Sequence, residues 1–181
     1  MCRRVSPLFE KRVADERILA PLRAIFGAET ELFKDKLILK LPGVEGYKMH
    51  QDWAWGWQDL CPADDILSVS IQIDGANPHN GCIELFPGNQ HQLLTPQGLQ
   101  TNFRAEEIAR IDMEKGEKIT TLPGDALIFH SLTPHQSGPN TAATSRRSLD
   151  LTYNAARAGK LREEYYDAYR ARVTGGDAHF R

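Results

Sequence analysis

His50 and Asp52 stand two residues apart in the stretch Tyr47-Lys48-Met49-His50-Gln51-Asp52-Trp53. On an extended strand, residues at that spacing project to one face, so an imidazole and a carboxylate can grip one metal ion together. A single His-x-Asp arises easily by chance, and alone His50 reads as a hydrogen-bonded strand histidine. A third ligand changes that reading. His135 opens the loop His135-Gln136-Ser137-Gly138-Pro139-Asn140 upstream of Arg146, and His130, at the end of an apolar strand, is its rival. Two imidazoles and one carboxylate make the facial triad of non-haem Fe(II), which leaves coordination positions open for a co-substrate. His79 and His91 lie in turn sequences and read as solvated, and His179 sits in the tail without a signal.

These residues must be carried on a scaffold, and the hydrophobic pattern describes it. Ala14 to Phe26 places Ile18, Leu22, Ile25 and Phe26 at helical spacing and stops at Gly27, with Pro21 expected to kink the helix or mark its start. Leu37–Leu41 reads as a strand closed by Pro42-Gly43, and the His50 stretch reads as the next one. From Ile66 to Asp74 the residues alternate, with Leu67, Val69, Ile71 and Ile73 against Ser68, Ser70, Gln72 and Asp74. A turn at Asn77–Gly81 and a strand at Cys82–Phe86 suggest a hairpin. A long connection, a candidate lid, runs from Gln90 to Gly116 with a short helix near Ala105 to Arg110.

Strands at Lys118–Leu122 and Asp125–His130 follow, then a Ser/Pro/Gly/Asn-rich loop to Ser145. Arg146 to Asn154 alternates again, Arg146, Ser148, Asp150 and Thr152 against Arg147, Leu149, Leu151 and Tyr153. A final amphipathic helix is predicted from Lys160 to about Ala171, before a loose tail after Gly175. Short strands punctuated by Pro-Gly turns, with a helix at each end, indicate a mainly β fold, a double-stranded β-helix (jelly-roll) barrel with flanking N- and C-terminal helices. With the apolar faces under the helices, Ser68, Ser70, Gln72, Arg146, Ser148 and Asp150 point inward. Buried polar groups are costly unless they line a ligand site, so this barrel has a pocket.

The chain of 181 residues is 41% apolar and 25% charged, which implies one soluble domain, taken as 1–181. A net charge of -2 offers no field for nucleic acid or an anionic membrane, so neither is expected as a partner. Cys2, Cys61 and Cys82 are odd in number and lack a C-x-x-C pattern, as reduced cytoplasmic thiols would. No apolar run approaches spanning length and no signal peptide is evident. The residues specify no oligomeric state.

The chain resembles the phytanoyl-CoA dioxygenase family of Fe(II)- and 2-oxoglutarate-dependent oxygenases. The matching pieces are His50-Gln51-Asp52, Asn80-Gly81-Cys82-Ile83-Glu84-Leu85-Phe86-Pro87-Gly88, Gly124 to His130, His135-x-Ser137-x-x-Asn140, and Arg146, over roughly residues 36 to 154. The resemblance implies His50, Asp52 and His135 as metal and catalytic ligands, with His130 set aside, and Fe(II), 2-oxoglutarate and O2 as cofactor and co-substrates. It also implies Arg146 as partner of the distal 2-oxoglutarate carboxylate, joined by the Ser137 hydroxyl. A permanently charged planar fork on the polar face of the last strand is the side chain such a carboxylate needs, whereas Arg147 shares a face with Leu149 and Leu151. Family members that halogenate replace the carboxylate ligand with a small residue. Asp52 is intact, so hydroxylation is expected.

For the small-molecule substrate, Trp53 and Trp55 are candidate walls in a segment that also holds Trp57, the other reading being core packing. Lys48, and by the same reasoning Lys40, could meet an anionic substrate group. Ser70 and Gln72 are candidates for polar contacts. The C-terminal sequence resembles the bacterial branch acting on small amine- or phosphonate-bearing metabolites more than the acyl-CoA branch. The region before His50 is short for the family, which motivates a second reading, a metal- and 2-oxoglutarate-binding jelly roll without turnover (a sensor or degenerate enzyme). A third is a cupin-type metalloenzyme that does not use 2-oxoglutarate.

Overall fold

The structure, a computed structural model, describes residues 6–95 and 102–174. Cys2, His179, the tail after Gly175 and the middle of the expected lid lie outside the described residues. Among the described residues seven strands form two antiparallel sheets: β1 (Thr30–Lys40), β7 (Arg146–Ala155), β2 (Ile66–Gln72) and β5 (Ala126–His130) in that order, and β4 (Glu117–Lys118), β3 (Ile83–Leu85) and β6 (His135–Ser137).

The alternation in β2 and β7 positions both the core and the cavity. Leu67 pairs with Tyr153, Val69 with Leu151 and Ile71 with Leu149, so their apolar side chains share the outer face. That face is covered by two helices, α1 (Pro7–Val13) and α2 (Glu16–Phe26), through Val13, Ile18, Leu22 and Phe26. Tyr153 ties the layers by donating its hydroxyl to the Val13 carbonyl at 2.9 Å. The α2 helix is capped by the Asp15 side chain on the Arg17 N–H and stopped by Gly27 at φ 62°, and it runs unbroken through Pro21. One missing N–H costs less than exposing the Ile18–Leu22–Phe26 stripe would.

Two more α-helices are found among the described residues, α3 (Ala105–Ile108), where a short helix is expected, and α4 (Arg162–Thr174). Tyr165 and Tyr166 of α4 are buried with Phe33, Trp57, Cys61 and Ile66 at the free edge of β1, so the C-terminal helix covers a strand edge and not the β2/β7 face.

Several elements depart from the sequence expectation. The Cys82–Phe86 strand does not form a hairpin with β2: β3 pairs with β4 and β6, so the Asn77–Gly81 turn carries the chain from one sheet to the other. β1 begins at Thr30, and its register shifts between Leu32 and Lys34. Phe33 then falls among the α4 residues while Lys34, Lys36 and Ile38 face the barrel interior. His135 lies in a short strand and not a loop.

Candidate metal centre and co-substrate pocket

His50 is not in a regular strand but makes an isolated antiparallel bridge to His135, with reciprocal N–H···O=C bonds of 3.0 Å. Gln51 is extended, and Asp52 opens a 3-10 turn, Asp52–Ala54. Backbone pairing therefore sets the two histidines side by side, ring centroids 4.2 Å apart, and the turn brings the carboxylate to them. Asp52 Oδ1 lies 3.7 Å from His50 Nε2 and 4.0 Å from His135 Nε2. The three ligand atoms fall within 4.8 Å of one another, close enough to share one ion at distances of about 2.0–2.2 Å.

The surroundings prepare each donor. His50 Nδ1 bonds the Lys48 carbonyl at 2.7 Å and His135 Nδ1 the Thr133 carbonyl at 3.0 Å. A carbonyl only accepts, so both rings carry Nδ1–H and present an Nε2 lone pair. Burial, reinforced by the neighbouring His135, pushes His50 down to about 3, which keeps it neutral. Burial alone would raise the Asp52 pKa, but the fields of His135, His50, Lys36 and Lys34 outweigh it and hold the carboxyl below the usual range. Two imidazole nitrogens and an ionised carboxylate oxygen fit a divalent non-haem iron.

His130 is not part of this group: it is the cross-strand partner of Leu67, whose face points away from the cavity, and its Nε2 lies 3.4 Å from exposed Asp64.

An inner cavity of about 70 Å³ extends from the triad to Arg146 and opens into a cleft of about 690 Å³. Arg146 is 3% exposed, and among the described residues its guanidinium makes only long bonds to neutral acceptors, 3.3 Å to the Asn80 carbonyl and 3.4 Å to Gln72 Oε1. A buried cation with neutral partners calls for an anion. Gln72 donates to Ser70 Oγ, and Ser70 donates to Asp150 Oδ1, both at 2.8 Å, so this chain braces the inner wall. Ser137 Oγ faces the cavity and bonds Lys40 Nζ at 3.0 Å and the Tyr47 N–H at 3.1 Å. Gly46 permits that approach, since a Cβ there would lie 1.7 Å from the Ser137 carbonyl oxygen.

The remaining predicted residues separate. Trp55 and Lys48 line the outer cleft, with the Trp55 ring 6.2 Å from His50. Trp53 does not face either cavity: it packs beside Trp57 and donates Nε1 to the Cys61 carbonyl at 2.8 Å. The 3-10 turn after Asp52 rotates it away, and Trp57 lines the inner cavity instead. Gln72 braces Arg146 from behind the lining, while Ser70 reaches the cavity. Lys40 is 2% exposed and is consumed by Ser137 Oγ and the Gly81 and Gly138 carbonyls. Sequence reasoning missed Lys34 and Lys36 as cavity residues and Ser68 as the partner of Asp52; the signal was the period-two run Lys34, Lys36, Ile38, Lys40.

A profile of the phytanoyl-CoA dioxygenase family matches residues 1–148. The chain is 39% identical over 152 residues to the methylphosphonate hydroxylase of Gimesia maris, covering 79% of this chain and 52% of that protein. It is 30% identical over 151 residues to the 2-aminoethylphosphonate dioxygenase of an uncultured bacterium, covering 83% and 56%. EctD from S. alaskensis, solved with bound Fe, superposes with a TM-score of 0.76 at 22% identity, covering 86% of this chain and 56% of that one. The fold is therefore the jelly roll with flanking helices, and the chain spans about half the length of the relatives it matches.

Proposed function

The chain belongs to the phytanoyl-CoA dioxygenase family, and on that premise we propose that it is an Fe(II)- and 2-oxoglutarate-dependent dioxygenase that hydroxylates a small organic molecule. One observation carries the proposal: three ligand atoms of a His-Asp-His facial set converge in a cavity that also holds a buried arginine with neutral partners. His50, Asp52 and His135 would hold the iron, and Arg146 with Ser137 would bind the distal carboxylate of the co-substrate. When bound, Fe(II) with 2-oxoglutarate and O2 supplies oxidative decarboxylation to succinate and CO2 coupled to oxygen insertion into a C–H bond. The chain's own contribution is orientation. The Lys48 and Thr133 carbonyls fix both imidazole tautomers, Ser68 steadies the carboxylate, and the Ser70–Gln72–Asp150 chain keeps Arg146 aimed inward. Trp57 and Phe129 exclude water from the inner wall.

Small phosphonates are the favoured substrates over acyl-CoA, because two relatives are by name a methylphosphonate hydroxylase and a 2-aminoethylphosphonate dioxygenase. Trp55, Lys48 and Ser70 are the predicted residues that remain in position to meet such a molecule. The chain acts as one domain in the cytoplasm, with small molecules and not nucleic acid or membrane as its partners. Among the described residues no helix is long and apolar enough to cross a membrane, and Cys61 and Cys82 are free thiols.

The test is anaerobic addition of Fe(II) and then 2-oxoglutarate, followed by O2. A weak visible charge-transfer band, then substrate-stimulated succinate, is the expected sequence. Absence of the band sinks the proposal and favours a cupin-type site that does not use 2-oxoglutarate. A band without stimulated succinate across a phosphonate panel favours the binding or sensing reading.

A further inference from the structure

The inward face of β1 carries more cationic charge than the metal and the co-substrate can use. Lys40 is consumed by Ser137 and two carbonyls. Lys36 Nζ lies 3.8 Å from Asp150 Oδ2, itself held by Ser70, so its charge is matched. Arg146 is reserved for a carboxylate in the proposal above. Lys34 is left with aromatic faces, its Nζ 5.1 Å from the Trp57 ring centroid and 5.6 Å from that of Tyr165. Among the described residues it makes no carboxylate pair within 4.0 Å.

Register decides what an anion at Lys34 would be. Lys34 pairs with Thr152, and Thr152 pairs with Ser68, the residue bonded to Asp52. Lys34 therefore stands at the level of the metal ligands. Lys40 pairs with Arg146 at the other end of the same face, which puts about 20 Å of strand between Lys34 and the arginine at roughly 3.3–3.4 Å per residue. In the reading above the co-substrate's distal carboxylate is taken by Arg146 and its other end by the metal, so neither is left to neutralise Lys34. Lys34, His50 and Asp52 all line both the inner cavity and the outer cleft, so an anion entering by the cleft meets Lys34 beside the metal centre.

We propose that Lys34 is the anchor for the primary substrate's anionic head, a tetrahedral phosphonate, and holds the adjacent C–H bond toward the His50–Asp52–His135 centre. This rests on the oxygenase reading above. An ammonium is a compact charge with three rotatable donors, suited to a tetrahedral oxyanion, whereas the planar fork of Arg146 suits a carboxylate. The Trp57 and Tyr165 rings flank the ammonium, and Asp52 and Asp150 act on it only from beyond ion-pair distance, so an anion can reach it in direct contact.

The test is calorimetric titration of methylphosphonate, with acetate as the carboxylate comparison, into protein loaded anaerobically with Fe(II) and 2-oxoglutarate. Wild type, Lys34→Met, Lys34→Gln and Lys34→Arg are compared, and the charge-transfer band is titrated with 2-oxoglutarate for each. Loss of one charge-assisted contact should weaken methylphosphonate about 10- to 100-fold in both neutral variants. Lys34→Arg should recover most of that loss, and the 2-oxoglutarate midpoint should move less than about 3-fold. Unchanged methylphosphonate affinity beside an intact band overturns the assignment while the oxygenase reading stands. So does a shift confined to 2-oxoglutarate, or a wild type that takes acetate in preference to methylphosphonate. If wild type shows no band, it is the oxygenase reading that fails.

Discussion

Ser68 donates a 2.6 Å hydrogen bond to Asp52 Oδ2, which leaves Oδ1 as the oxygen that faces Nε2 of both His50 and His135. A carboxylate held in this way offers one oxygen to a metal in a fixed orientation. Outer-shell hydrogen bonds of this kind are worth roughly 10- to 100-fold in metal affinity. Ser68→Ala should therefore weaken Fe(II) or Mn(II) binding about 10-fold by anaerobic calorimetry. The 2-oxoglutarate midpoint, measured at saturating metal, should stay within about 3-fold of wild type. Unaltered metal affinity would show that Ser68 merely fills space beside β5.

Arg146 and Arg147 are neighbours with opposite fates. Arg146 is buried in the cavity, while Arg147 makes a two-point pair with Asp74 on the outside, at 2.8 and 2.7 Å. Arg146→Met should raise the 2-oxoglutarate concentration needed for half-maximal band formation by about 10-fold or more, because hydrogen bonds to charged groups contribute about 1.5–3 kcal/mol. Arg147→Met should leave that midpoint in place. The opposite pattern would mean that the co-substrate anchor is on the other face of β7.

These contrasts show what the sequence could and could not convey. The alternation in β2 and β7 was readable because each face meets a different medium, so Arg146 separates from Arg147 by phase alone. The strand before the triad was readable only in part. A register shift at Leu32/Lys34 breaks the phase at Phe33, and the unbroken run Lys34, Lys36, Ile38, Lys40 beyond it is mostly cationic, so it looks like a surface face although it faces the cavity. Trp53, Trp55 and Trp57 fall in and after a 3-10 turn, where neither a 2.0 nor a 3.6 period applies, and their directions were not legible. Pairing partners were hidden too: nothing local distinguishes the Asn77–Gly81 crossover from a hairpin turn, and β6 is too short to carry a pattern. The candidate metal set was legible through its spacing and its family resemblance; the backbone bridge that unites His50 with His135 is long-range and was not.

The Asp74–Arg147 pair also gives a sign for acid sensitivity. The Arg147 side chain, donating to Asp74, is the largest influence on that carboxyl and holds it below its ordinary value near 3.8. A depressed carboxyl binds fewer protons folded than unfolded, so its stabilisation is complete above about pH 4 and is lost as pH falls through the folded value. Arg147 is half exposed, so solvent screens the pair and its contribution is small. Urea midpoints of wild type and Arg147→Met should differ slightly at pH 7 and converge as the pH is lowered below 4. A gap that widens on acidification would contradict the assignment.

Arg162 of α4 and Asp35 of β1 form an ion pair in which the Asp35 side chain is fully buried and that of Arg162 is 12% exposed. Tyr166 joins it, with its hydroxyl 3.2 Å from the Asp35 carbonyl oxygen and 3.4 Å from Oδ1. Asp35 lies between Lys34 and Lys36, so this contact fixes α4, and with it the Tyr165 ring, against the strand that lines the cleft. Arg162→Met removes one partner of a buried pair and strands the other, at about 3–5 kcal/mol. At about 2–4 °C per kcal/mol for a chain of this size, Tm should fall by roughly 6–20 °C. Adding Asp35→Leu should restore much of that loss, because a hydrophobic replacement of both charges is often neutral. A single variant within about 1 kcal/mol of wild type would show that α4 is held by its tyrosines alone; a double variant no better than the single would show that Asp35 stabilises β1 through partners other than Arg162.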